Sequence, residues 1–141
     1  MSVLVWNPEW ETGFARIDAQ HRELFRRLDA LVEAVPEADF ATRAPVLLPH
    51  LLDYVEDHFQ EEEAAMEATD YTWAEAHRAR HAALREKAGA LVSQLEEDPA
   101  GLSEPMMSWF MEWLIHHIDG EDRRLARHLL QHGAGPAGAG A

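Results

Sequence analysis

The chain contains no cysteine. Disulfides, thiolate metal sites and thiol nucleophiles are therefore excluded. No apolar run is long enough for a membrane-spanning helix. The opening "MSVLVWNPEW" lacks a basic region followed by an apolar stretch, so no signal peptide is visible and the cytoplasm is the expected location. Basic residues are scarce: 12 Lys and Arg face 26 Asp and Glu, a net charge of −14. A surface that acidic repels phosphates and anionic lipid, so neither nucleic acid nor membrane is an expected partner. Alternating strand patterns and internal repeats are also lacking.

What is present suits one globular domain. The 141 residues are 47% apolar, enough for a real core. Residues 1–132 are expected to form that domain. The tail "GAGPAGAGA", residues 133–141, has nothing to bury and is expected to be disordered. Nine histidines and five tryptophans are high counts for this length.

Periodicity predicts four amphipathic helices. The first covers about Ala19–Val35, with Asp18 as N-cap and Pro36 as its stop. The second covers about Ala41–Ala68, where Pro45 suits a first turn and Pro49, if inside, should cost a hydrogen bond and kink the helix. The third covers about Thr72–Glu96, opened by a Thr72–Glu75 capping box and striped by Trp73, Leu84, Leu91 and Leu95. The fourth covers about Ser103–His132, with Met106, Phe110, Leu114, Leu125 and Leu129 on its apolar face. Short links between such helices point to an all-α fold, an antiparallel up-down-up-down four-helix bundle. The arm "VWNPEWETGFARID" is expected to be irregular and to pack across it.

Polar residues interrupt every apolar stripe. The segment "DYVEDHFQEEEAAM" carries His58 and Glu62, four apart, on the face that holds Val55, Phe59 and Met66. His21 lies between Ile17 and Leu24, His77 and His81 follow Trp73 at steps of four, and His117 follows Trp113. Taken one at a time, each histidine reads as a hydrogen-bonded core residue, and Met66 and the tryptophans read as core. Glu61 and Glu63 read as solvated, and His50, His116, His128 and His132 as surface or outer residues. His128 lies about 16 Å along the helix from His117, too far to share a site. Taken together, the core histidines and Glu62 need one another or a cation, because each unpartnered buried polar group costs roughly 1–3 kcal/mol. Pairs at i, i+4 stack ligands on one helix face. Imidazole and carboxylate suit iron, zinc, manganese or copper, and so many ligands point to two ions. Beside His117, Glu121 at i+4 fits a regular helix more easily. Asp122 at i+5 continues the apolar row, with Gly120 available to permit a local distortion.

The stretches "GFARIDAQH", "HFQEEEAAM", "HRARH" and "WLIHHIDGED" resemble the bacterial hemerythrins over about Trp6–Gln131. The spacing H…HxxxE…HxxxH…HxxxxD is filled at every position. The resemblance implies Asp122 over Glu121, His117 over His116, and two iron ions. It implies His77, His81 and His117 on one iron and His21 and His58 on the other, which keeps an open position. Glu62 and Asp122 would bridge the pair with an oxo or hydroxo group. The implied activity is reversible O2 binding, as a hydroperoxide on the five-coordinate iron, with no catalytic residue and no enzymatic turnover. NO or small anions are further expected ligands of the open position, and an oxygen-consuming enzyme is an expected recipient. Leu24, Phe25, Phe59, Trp113 and Ile118 lie within about one turn of ligands and are candidate walls of the O2 pocket; plain core packing is their simpler role. The alternatives are a sensor module for O2, NO or redox state, and a di-iron oxidase or peroxidase. The latter class uses more carboxylates and paired Glu-x-x-His motifs, which this chain lacks.

Overall fold

A computed structural model describes residues 6–99 and 104–132, the side chains of 104–107 excepted. Among these residues the long elements are all helical, and there is no strand. Helix α1 spans Ala15–Ala34, α2 spans Phe40–Ala68 and α3 spans Ala74–Glu97. The fourth rod is composite: α4 spans Glu104–His117, a π turn follows at Ile118–Asp122, and α5 continues over Arg123–Gln131. The expected glycine-rich tail lies outside the described residues, as do Ser103 and the Met106 side chain.

Contacts between the helices run in opposite senses, as an antiparallel four-helix bundle requires. From α1 to α2, His21 meets His58 while Arg27 reaches back to the His50 carbonyl. From α2 to α3, Glu63 meets His81 while Glu56 meets Arg85. From α3 to the fourth rod, Arg80 meets Glu121 while Lys87 lies over Trp109. No described helix is long and apolar enough to cross a membrane.

Two apolar clusters fill the interior. The larger holds Leu24, Leu28, Leu31, Leu51, Val55, Phe59, Leu84, Phe110, Leu114 and Ile118. The smaller holds Phe14, Ile17, Ala65, Met66, Tyr71, Leu125, Ala126 and Leu129. Burying each large side chain contributes about 1.5–3 kcal/mol. On α1, α2 and the fourth rod the clusters are separated by polar residues that interrupt the stripe: His21 between Ile17 and Leu24, Glu62 between Phe59 and Ala65, Asp122 between Ile118 and Leu125. The fold thus clamps one polar layer between two apolar ones.

Several local expectations need correction. Helix α1 begins at Ala15 behind Phe14, so Asp18 lies inside it and is not the N-cap. Asp18 instead reaches back into the arm. It accepts from the Thr12 amide at 2.8 Å, the Thr12 hydroxyl at 2.7 Å and the Gly13 amide at 3.1 Å. Gly13 has φ +90°, a conformation that favours glycine and lets the arm turn into the helix. The Thr72–Glu75 capping box is not made: Trp73 precedes α3 and offers no side-chain cap. Helix α2 takes in both prolines, and Pro45 lies beyond its first turn. Only three of the five tryptophans, Trp6, Trp10 and Trp113, pack against the core. Trp73 and Trp109 are exposed, and Trp6, Trp10 and Trp113 are half-buried. Trp6 and Trp10 cap Phe25, with ring centroids 5.3 and 5.0 Å away. Arg123 holds the arm from the other side through the carbonyls of Glu9 and Glu11.

Asp18 is therefore a clasp between arm and bundle. Burial alone would raise its pKa, but the Thr12 and Gly13 donors outweigh that and hold it below the ordinary 3.8. A depressed folded-state pKa means the stabilisation is present above the unfolded value and is lost as pH falls through the folded one. Asp18→Ala is expected to cost roughly 1–3 kcal/mol in urea unfolding at pH 7. The gap to wild type should shrink once the pH drops below about 3.8. A gap that stayed constant down to pH 2 would contradict an ionised clasp.

Candidate metal centre

Seven side chains from all four rods meet in the polar layer. His21, His58, Glu62, His77, His81, His117 and Asp122 are each no more than 2% exposed. Their donor atoms fall into two groups, each compact enough to hold a metal ion. One comprises Glu62, His77, His81, His117 and Asp122; the other comprises His21, His58, Glu62 and Asp122. The two carboxylates belong to both.

Each carboxylate turns one oxygen to each group. Glu62 Oε1 lies 3.2 Å from His77 Nε2 and 3.1 Å from His81 Nε2, while its Oε2 lies 3.4 Å from His58 Nε2. Asp122 Oδ1 lies 2.9 Å from His117 Nε2 and 3.1 Å from His77 Nε2. Its Oδ2 lies 2.7 Å from His21 Nε2 and 3.7 Å from His58 Nε2. All five imidazoles therefore aim Nε2 inward. The rings of His77, His81 and His117 pack edge to face at 4.6–5.0 Å, and those of His21 and His58 at 4.9 Å.

The π turn makes the fourth rod fit. On a regular helix, residues five apart are about 140° out of phase. At Ile118–Asp122 the ladder widens to the i→i+5 pattern, and Asp122 comes onto the side of His117. Glu121 is turned the other way. It is half-buried and lies 3.5 Å from the outer nitrogen, His117 Nδ1, beside Arg80. His116 is exposed. Gly120 does not enable the turn sterically, since a Cβ added there would meet nothing within 4 Å.

The layer needs positive charge. Burial alone would lower the histidine pKa values, but Asp122 and Glu62 reverse the effect. They raise His77 to about 9 and His117 to about 10, and they also raise His58. Burial would raise both carboxylates, and they repel each other, yet the surrounding imidazoles hold both below their ordinary values. Two ionised carboxylates are thus sustained in a dry layer by the cations they face. Three inward atoms, His58 Nε2, Glu62 Oε2 and Asp122 Oδ1, have no directed hydrogen bond. Asp122 Oδ1 has close ionic neighbours but no aligned N–H. Metal ions match this donor set in charge, direction and chemistry.

An outer ring of residues escaped the sequence reading. His58 Nδ1 donates to Gln20 Oε1 at 2.6 Å, and His81 Nδ1 donates to Glu63 Oε2 at 2.7 Å. Glu63 is therefore a histidine partner and not a solvated acid; Arg85 Nη1 sits 3.1 Å from the same oxygen. An Nδ1–H bond leaves Nε2 with its lone pair free to coordinate. Periodicity could not find these partners, because each comes from a different helix.

Of the candidate pocket residues, Leu24, Phe25, Phe59 and Ile118 are buried and Trp113 is half-buried. Phe59 stacks on His81 at 3.7 Å and Trp113 on His117 at 4.7 Å, both against the five-donor group. Phe25 faces the arm tryptophans.

Gly120→Ala is expected to be neutral or mildly stabilising, within about 1 kcal/mol in urea unfolding. A loss of several kcal/mol would show that glycine is needed to form the π turn.

Comparison with known proteins gives a consistent picture. Residues 12–129 match the family described as the hemerythrin HHE cation binding domain. The bacteriohemerythrin of Stenotrophomonas maltophilia (strain R551-3) is 30% identical over 134 residues, covering 94% of this chain and 85% of that protein. Hemerythrin subunit alpha of Lingula anatina is 33% identical over 117 residues, covering 83% of this chain and 87% of that one. A solved wild-type hemerythrin superposes with TM-score 0.84 at 25% identity, covering 91% of this chain and 98% of that one.

Proposed function

This chain belongs to the hemerythrin family, and from that premise we propose that it binds O2 reversibly at a pair of iron ions, as a carrier, store or buffer and not as an enzyme. The observation that supports this most directly is the sharing of Glu62 and Asp122, one oxygen to each of two buried donor groups. Two such carboxylates hold two cations close together and reduce their mutual repulsion. When bound, the irons supply the electrons that O2 takes up and returns.

The residues divide the work. His77, His81 and His117 complete the five-donor group, and His21 and His58 complete the smaller one. The smaller group has one donor fewer, so it is the side with room for O2, or for NO or a small anion. Five imidazoles and two carboxylates place little negative charge on the site, which favours holding O2 over cleaving it. The apolar layers above and below exclude water, and Leu24 follows His21 by one turn as part of the wall.

Metal content and the visible spectrum test this together. Purified protein should hold two irons per chain. It should develop a charge-transfer band with O2 and lose it when O2 is removed. Two irons that oxidise without a reversible band would point to a redox sensor or peroxidase, and protein that takes up no iron would refute the proposal. Glu62→Gln and Asp122→Asn should each disturb both metals, whereas His117→Asn should disturb one; metal analysis per chain reads the difference. Leu24→Ser should speed autoxidation of the O2-bound protein by admitting water. An unchanged decay rate would remove Leu24 from the pocket.

A further inference from the structure

The outer hydrogen bonds of the two donor groups are unlike. In the five-donor group, the acceptor on His81 Nδ1 is the carboxylate of Glu63, at 2.7 Å. A second carboxylate, Glu121, lies 3.5 Å from His117 Nδ1, close enough for its charge to act there but without a directed hydrogen bond. In the four-donor group, the acceptor on His58 Nδ1 is the uncharged amide oxygen of Gln20, at 2.6 Å. His21 Nδ1 has no hydrogen-bond partner at all. The group with more donors is thus also the one backed by anions.

An anionic acceptor draws the Nδ1 proton towards itself and makes the opposite nitrogen a stronger donor to a metal; a neutral amide does so less. Both acceptors are built into the fold. Gln20 is 7% exposed, and Glu63 is held by Arg85 as well as by His81. Gln20 also borders a surface groove lined by Arg16, Tyr54, Asp57, His58 and Glu61.

We infer that Glu63 and Gln20 are positioning residues that give the two metals unequal retention, Glu63 securing the ion in the five-donor group and Gln20 leaving the ion in the four-donor group exchangeable. This rests on the reading that both groups hold metal. A stable one-metal form, loaded at His77, His81 and His117, is the consequence.

The test follows metal loss from the two-iron protein, kept reduced under anaerobic conditions, into excess chelator. Iron per chain is measured over time and helical content is monitored in parallel. The wild type should lose one iron quickly and pause near one per chain. Gln20→Glu should slow the first loss roughly tenfold and leave the second unchanged. Glu63→Gln should speed the second loss by a similar factor and leave the first unchanged. Gln20→Ala serves as a second variant on the exchangeable side and should speed only the first loss. A general loss of structure would move both phases, so the separation of effects distinguishes positioning from packing. Two irons leaving in a single phase, or either variant shifting both phases alike, would overturn the inference while leaving the proposed function intact. Failure to bind two irons at all would overturn both.

Discussion

Two carboxylates buried where water cannot reach them are the constraint around which this bundle is arranged. An isolated ionised carboxylate in an apolar interior is prohibitively costly. Glu62 and Asp122 survive there because five imidazoles face them from all four rods. The apolar clusters on either side keep the layer dry, which strengthens every charge interaction within it. The packing that makes the layer expensive is also what makes it selective for cations.

Geometry follows from the same demand. A regular helix carries donors to one point at spacings of four, and α2 and α3 do so with His58 and Glu62 and with His77 and His81. The fourth rod carries its pair at a spacing of five and accommodates it with a π turn, Ile118–Asp122. That local irregularity brings Asp122 between the two groups and turns Glu121 outward, where it faces Arg80 and the back of His117. The arm closes one side of the bundle by a separate set of contacts, the Asp18 clasp and the Trp6–Trp10–Phe25 stack. The fold therefore has a polar centre that organises the helices and an apolar shell that holds them to it.

Much of this was legible in the residues. Apolar stripes of helical period marked four rods, and histidines on those stripes marked the layer, because a 3.6-residue repeat determines which side chains share a face. Helix ends were less legible. Asp18 and Thr72 have the chemistry of caps, yet Asp18 is used one turn inside α1 and Thr72 is not used, since the neighbouring chain decides which amides need an acceptor. Two of the tryptophans misled for a related reason: large apolar side chains suit a core, but Trp73 and Trp109 lie under Arg124 and Lys87 on the surface.

The sequence by itself determined the class of fold, the donor types and, through the i, i+4 pairs, which donors travel together. Only the tertiary structure decided which carboxylate oxygen faces which group, how Asp122 reaches the layer, and that Gln20 and Glu63 back His58 and His81. The reason is one of range. Periodicity along a helix is a local property that a chain displays in its own order. An acceptor on the far side of an imidazole comes from a neighbouring helix, at a height and angle set only when the rods pack.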